Sequence, residues 1–137
     1  MRISIDDAMM STAILWSRRS HCKRRRVGCV ISKDNRILSI GYNGNTPGAD
    51  NCCEDDHGNS KPTIIHAEEA ALGNCLRHGI SPQDAIVYLT LSPCMHCASM
   101  MIYAGIKEVV YLEPYRILDG IEHLKAHNIK VRQLENL

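Results

Sequence analysis

Apolar residues recur at helical spacing near the N-terminus. Ile5, Ala8, Met9, Thr12, Ala13 and Trp16 mark one stripe, which predicts an amphipathic helix over Ile5–Arg19. The pattern then shortens to strand length. Val27–Ser32 reads as a strand, residues 33–36 as a turn, and Ile37–Tyr42 as a second strand. Residues 43–62 are rich in Asn, Gly, Asp and Pro and predict a long loop, of a length that is usually functional or held by something else. Helical spacing returns over His66–His78, with Ala67, Ala70, Ala71 and Cys75 on one stripe and Gly79 as the stop. Ala85–Thr90 is a short apolar strand. Pro93 opens a helix over Cys94–Ala104, ended by Gly105, because a proline at a helix start forfeits no needed N–H. Glu108–Leu112, Ile117–His127 and Lys130–Gln133 follow as strand, helix and strand. Helices alternating with strands after an opening hairpin predict a three-layer α/β/α domain with a mixed sheet of about five strands.

The 137 residues suit one domain, 1–137, and 45% hydrophobic content is enough for a core. No apolar run approaches the roughly 20 residues of a membrane helix, and the N-terminus lacks a signal-peptide core, so the expectation is a soluble, cytoplasmic chain without a membrane partner. Seven cysteines without an export signal point to metal ligands or reactive thiols rather than a disulfide framework. A net charge of +1 argues against a nucleic-acid polymer as partner. The charge is uneven, however. Arg18, Arg19, His21, Lys23, Arg24, Arg25 and Arg26 crowd one segment; Asp50, Glu54, Asp55 and Asp56 crowd another. Such a run is usually a solvated face, and here it could also serve phosphates.

Two segments carry the chemistry: His66-Ala67-Glu68 and Pro93-Cys94-Met95-His96-Cys97. The pairing resembles the signature of zinc deaminases acting on nucleobases. Cys94 and Cys97, three apart at a helix start, share one face, and the helix dipole there favours thiolate. Three protein ligands, His66, Cys94 and Cys97, leave the fourth tetrahedral position open, which marks a catalytic zinc. Two thiolates neutralise the Zn²⁺ charge, so a nearby base is needed, and Glu68 lies two residues from a ligand. Glu68 is therefore expected to take a proton from the attacking water, deliver it to ring N3 as C4 is attacked, and later protonate the departing ammonia. Cys-x-x-Cys alone could be a redox pair. A closed structural site would need His96 as a fourth ligand.

The whole chain resembles the deoxycytidylate (dCMP) deaminase family. The similarity is carried by Arg19-Ser20-His21-Cys22 with Arg26-Val27-Gly28, by Gly41-Tyr42-Asn43-Gly44, by Cys52-Cys53-Glu54-Asp55-Asp56-His57, and by His66-Ala67-Glu68 with Thr90-Leu91-Ser92-Pro93-Cys94-Met95-His96-Cys97. The resemblance implies hydrolysis of dCMP to dUMP, supply of the thymidylate precursor, a homohexamer, activation by dCTP and inhibition by dTTP. A Mg²⁺ ion accompanying the effector is a further expectation. Gly41, Tyr42, Asn43, Gly44, Ala67 and Ser92 are assigned to substrate or effector binding. Asn43 could equally be a turn residue, and Arg26, the candidate for effector phosphates, a solvated side chain. Tyr115 and Arg116 are candidates at a subunit contact near the active site, or a plain surface pair. Some viral members hold a structural zinc by Cys, Cys, His and Glu. Cys22, Cys52 and His57 could form such a site here, although the glutamate's position is Ile64 and Cys53, Glu54, Asp55 or Asp56 would have to substitute. Cys29 and Cys75 read as core residues.

Three rivals remain open. A tRNA or single-strand deaminase should show a basic, aromatic track, whereas aromatics total 4% with no Phe. A free-nucleoside deaminase would have less use for the arginine-rich segment. A silent zinc-binding module would have no use for Glu68.

Overall fold

The computed structural model describes residues 1–23, 25–135 and 137; Arg24, part of the basic run, lies outside the described residues. The chain begins with helix α1, Ile5–Ser17, whose first turn is capped by Ser4 accepting from the Asp7 N–H at 3.0 Å. Strands β1, Gly28–Lys33, and β2, Arg36–Tyr42, form the expected hairpin. Two strands too short to show a period in the sequence follow. β3, Gly44–Asn45, pairs antiparallel with β4, Ile64–Ile65, so the ends of the long loop are stitched together. Then come α2, Ala67–His78; β5, Ile86–Leu91; α3, Met95–Tyr103; β6, Glu108–Glu113; α4, Asp119–Ala126; and β7, Lys130–Gln133.

The main sheet runs β2-β1-β5-β6-β7. β1 is antiparallel to β2 and β5, while β5, β6 and β7 are parallel, joined through α3 and α4. The five-stranded mixed sheet is as expected. Parallel strands need crossover connections, and helices supply them here. Alternate residues of each strand feed two cores. Cys29, Ile31, Val87, Leu89 and Val109 pack with residues of α2, α3 and α4. Val30, Tyr88 and Val110 pack beneath α1 on the opposite face.

The buried face of α1 differs from the expected stripe. It runs through Met9, Met10, Ala13 and Ser17, while Ile5 and Trp16 lie largely outside. Asp6 explains the rotation. Its carboxylate accepts from Tyr88 Oη at 2.7 Å and from both terminal nitrogens of Arg132 at 2.8 and 3.1 Å, so an acidic residue faces the sheet. Arg132 also pairs with Glu108. Trp16 instead stacks on Tyr42, with ring centroids 6.4 Å apart.

Topology brings one sheet edge into focus. The C-terminal ends of β5 and β6 lie beside the start of β1 and the end of β2, because β1 runs against β5 and β2 against β1. The Gly28 N–H donates to Thr90 Oγ1 at 3.1 Å and fixes this alignment. Ligands of open α/β sheets gather at such carboxyl ends.

Candidate active site

Two helix starts meet at that edge. His66 is the N-cap of α2 and Cys94 the N-cap of α3, with Cys97 three residues on. Backbone geometry explains both positions. The residues are extended at ψ 159° and 171°, as N-caps are, so their side chains project from the helix mouth. Close packing holds the elements in place. A Cβ on Gly41 would lie 2.4 Å from the Ala67 carbonyl oxygen, so β2 abuts α2 only because that residue is glycine. A Cβ on Gly120 would lie 2.3 Å from the Pro93 carbonyl oxygen, so α4 buttresses the segment that carries Cys94.

The three donors converge. His66 Nδ1 lies 3.2 Å from Cys97 Sγ and 3.6 Å from Cys94 Sγ. Bonds of about 2.0 Å to nitrogen and 2.3 Å to sulfur in a tetrahedron give edges of about 3.5 Å, so the set fits one zinc with a fourth position open. Among the described residues this is the group of His, Cys, Asp and Glu side chains able to hold a metal ion. The electrostatics agree. Hydrogen bonds from Cys97 and His66 hold the Cys94 thiol down at about 3. The hydrogen bond to Cys94 raises His66 to about 9 against the effect of burial. Cys97 is pushed far above the usual thiol range, first by its bond to Cys94 and then by burial. Crowded donors that share protons are the set a divalent cation displaces protons from.

Glu68 is 5% exposed, in the first turn of α2. Burial pushes its carboxyl up to about 7, while hydrogen bonding within its own backbone and the His66 charge pull the other way. Glu69, which sequence reasoning passed over, orients the ligand. Its carboxylate accepts the His66 N–H at 2.9 Å, and it lies 3.6 Å from His96 Nε2. The signal was available in the spacing, since a Glu at the third helical position closes a capping box. His96 faces Glu69 and, among the described residues, joins no metal cluster.

A cavity of about 450 Å³ opens over this floor. His66, Ala67, Glu68, Ser92, Cys94, Asn43, Tyr115 and Arg116 all line it. Ser92 Oγ accepts the Tyr115 N–H at 2.7 Å and so positions that corner. Arg116 lies over the Tyr115 ring, 5.8 Å from its centroid. Asn43 has a definite structural task. Its Nδ2 donates to the Arg25 carbonyl and its Oδ1 accepts the Val27 N–H, both at 2.8 Å. It clips the strand-1 approach to the cavity wall, leaving one amide hydrogen to offer a ligand.

Arg26, the candidate for effector phosphates, is exposed and does not line this cavity, where Arg25 stands. Successive side chains of an extended chain point opposite ways, so one residue decides the face. The set Cys22, Cys52 and His57 is not brought together. Cys22 is disulfide-bonded to Cys53. Cys52 is exposed with Sγ 3.2 Å from the Glu54 carbonyl oxygen, and the His57 N–H donates to Asp55 Oδ1 at 2.9 Å in a local turn. With its first thiol oxidised and Ile64 in the glutamate's place, the second zinc set does not fit. Cys29 and Cys75 are buried, and burial raises both thiols. Gly41, Tyr42 and Gly44 line a second cavity of about 720 Å³, which shares Asn43 with the first.

A sequence model of the cytidine and deoxycytidylate deaminase zinc-binding region matches residues 3–113. Deoxycytidylate deaminase of Saccharomyces cerevisiae is 38% identical over 143 residues, covering 97% of this chain and 46% of the relative. The chain spans about half the length of the curated yeast relatives it matches. The crystal structure of dCMP deaminase from the cyanophage S-TIM5, in complex with dCMP and dUMP, is 38% identical and superposes with a TM-score of 0.94, covering 98% of this chain and 99% of that one. A tRNA:A34 deaminase structure, 21% identical with a TM-score of 0.68 over 96% of this chain and 100% of that one, shares the fold alone.

Proposed function

Since the chain belongs to the cytidine and deoxycytidylate deaminase zinc-binding family, we propose that it hydrolyses dCMP to dUMP and ammonia. The observation that carries this reading is Glu68, a buried carboxyl that lines the cavity beside the His66, Cys94 and Cys97 donors. A base and acid used in turn works best with a pKa near the working pH. Zinc, bound by those three residues, supplies Lewis-acid activation of water. Glu68 accepts the proton of the attacking water and passes it to N3 as oxygen bonds to C4. It then relays the second proton to the exocyclic nitrogen, the C4–N bond breaks, and ammonia leaves. Glu69 holds His66 in register through its backbone N–H, and Ser92 holds Tyr115 at the cavity wall.

The likeness to the S-TIM5 enzyme, crystallised with dCMP and dUMP, supports a mononucleotide substrate. The arginines on the cavity wall favour it over a free nucleoside. The second cavity, with Gly41, Tyr42, Asn43 and Gly44 beside Arg19, His21 and Arg77, supports a regulatory nucleotide. In this reading dCTP with Mg²⁺ activates, dTTP inhibits, residues 1–137 act as one domain within a homohexamer, and the product feeds thymidylate synthesis. Among the described residues no helix is long and apolar enough to cross a membrane.

The direct test compares turnover of dCMP, CMP, deoxycytidine and dCTP, with Glu68→Gln alongside. We expect dCMP to be preferred, and the variant to keep its zinc while losing at least roughly a thousandfold in kcat. Unchanged turnover in Glu68→Gln would sink the proton shuttle.

A further inference from the structure

Two cavities meet on one helix. The N-cap of α2 is the ligand His66, which lines the chemical cavity together with Ala67 and Glu68. One flank of the same helix, through Glu69, Gly73 and Arg77, lines the second cavity. These three residues are spaced by four, so they share a face. Glu69 stands at the junction. Its Oε1 accepts the His66 N–H at 2.9 Å, while its residue lines the second cavity. Its Oε2 lies 3.6 Å from Nε2 of His96, in the first turn of α3. One carboxylate therefore reaches the starts of both helices that carry metal ligands. The side chain is 23% exposed, enough to be met by an occupant of the second cavity.

We propose that Glu69 is a positioning residue that couples the second cavity to the metal ligand His66. The inference rests on the regulatory reading of that cavity. The backbone of α2 has no slack with which to carry a signal. Ser39 Oγ donates to the Ala71 carbonyl at 2.8 Å, and Asn74 Nδ2 donates to the Ile40 carbonyl at 3.1 Å, so two bonds fasten the helix to β2. Gly41 adds a close approach, since a Cβ there would lie 2.4 Å from the Ala67 carbonyl oxygen and 2.5 Å from the Ala71 nitrogen. Sliding the helix breaks these contacts together, whereas one side chain turns between staggered rotamers at little cost. Glu69 is that side chain. Turned back, it closes the box on the His66 N–H; turned out, it leaves that N–H without its acceptor and loosens the first turn of α2. The first turn also carries Glu68, so ligand and base shift together. The chemistry of the occupant sets the direction. A nucleotide that offers a hydrogen-bond donor to the helix flank draws the carboxylate out. One that offers an acceptor or negative charge returns it to His66.

The test follows hydrogen exchange of the His66 amide in the zinc-loaded protein, with dCTP or dTTP added, and dCMP turnover alongside. In the wild type that amide should exchange about twofold to tenfold more slowly with the nucleotide that raises turnover than with the one that lowers it, the scale of one hydrogen bond. In Glu69→Ala it should exchange fast whichever nucleotide is present. The ratio of turnover with dCTP to turnover with dTTP should then fall to within about twofold of unity, with nucleotide affinity changed only severalfold. Glu69→Gln keeps an acceptor for the His66 N–H and should restore most of that ratio. A merely structural role would lower basal turnover in Glu69→Ala and leave the ratio intact, and that result overturns the proposal. So does a wild-type amide indifferent to both nucleotides, a measurement that stands even if the alanine variant fails to fold. A regulated wild type with an equally regulated Glu69→Ala defeats this inference alone. A wild type whose turnover ignores both nucleotides defeats the regulatory reading and this inference with it.

Discussion

The two walls of the cavity are built by different means. The inner wall is made of secondary structure: the starts of α2 and α3 carry His66, Cys94 and Cys97, and β5 ends at Leu91 on the cavity wall. The outer wall is loop. Between β3 and β4 the chain contributes Glu54 and Ser60 to the cavity, held by one short bridge between them and by the Cys22–Cys53 disulfide. The Lys23 N–H donates to Glu54 at 3.2 Å and the Lys61 N–H to the Cys53 carbonyl at 2.8 Å, so the bonds cluster around the sulfur link. Reactive atoms sit on rigid elements, where sub-ångström placement is kept. The wall that defines the substrate's envelope depends on a covalent tie.

The comparison breaks most completely at the inner wall. Cys97→Ala removes a fully buried ligand and leaves two donors, too few for a stable zinc. Metal analysis should find the ion lost, and deamination should fall below detection. Retained zinc with full activity would mean that the cluster is not the metal site.

Breaking the outer wall should cost stability and substrate affinity rather than chemistry. The disulfide closes a span of 31 residues, a constraint of about 3–4 kcal/mol on the unfolded chain. Treatment with a dithiol, or Cys53→Ser, should lower the melting temperature and raise KM severalfold, with kcat changed much less. Thiol titration of the denatured, unreduced protein should find five reactive thiols, rising to seven after reduction. Seven from the outset, or zinc released from the loop, would replace the disulfide with another tie.

A subtler change keeps every ligand and disturbs only their support. Gly120→Ala places a methyl 2.3 Å from the Pro93 carbonyl oxygen and 2.9 Å from the Cys94 carbonyl carbon. Backbone cannot yield as a side chain does, so α4 must shift, at about 1–3 kcal/mol. Zinc should dissociate faster in a chelator chase while KM changes little. An unchanged chelator chase would show that α4 does not buttress the ligands.

The same division explains what was legible beforehand. His66, Glu68, Cys94 and Cys97 could be read because the chemistry is local: each pair is fixed by helix geometry within four residues. The sheet and its crossovers followed from apolar spacing for the same reason. The outer wall resisted reading because its order comes from contacts distant in sequence. Nothing local says whether Cys22 pairs with Cys53 or joins Cys52 and His57 around a metal, since connectivity among seven cysteines is not a sequence property. Two-residue strands such as Gly44–Asn45 have no period to detect. Arg25 and Arg26 differ only in which side of an extended segment they occupy. The face of α1 was misread for a related reason: Asp6 counts as polar until Tyr88, 82 residues away, supplies its partner.

That Asp6 network offers the mildest test, on the face of the sheet away from the cavity. Arg132 and Tyr88 hold the Asp6 carboxyl below its ordinary value, with Arg132 the larger influence and burial opposing. A depressed folded pKa means that the contribution is complete above the unfolded value, near pH 4, and is lost as pH falls through the folded value. Tyr88 sets the other limit. Burial first, then Asp6, raise its phenol above the usual range, so its part is complete below about pH 10 and lost as pH rises through the folded value. Asp6→Asn should therefore destabilise the protein by about 1 kcal/mol at neutral pH, a figure kept small because the side chains are partly solvated. The gap between wild type and variant in denaturant melts should be flat from pH 6 to 8 and close below pH 4. Zinc content and KM should not move, because no residue of α1 lines the cavity. A KM that shifts with Asp6→Asn would show that the two faces of the sheet are coupled, and the contrast between a rigid inner wall and a tethered outer one would have to include α1.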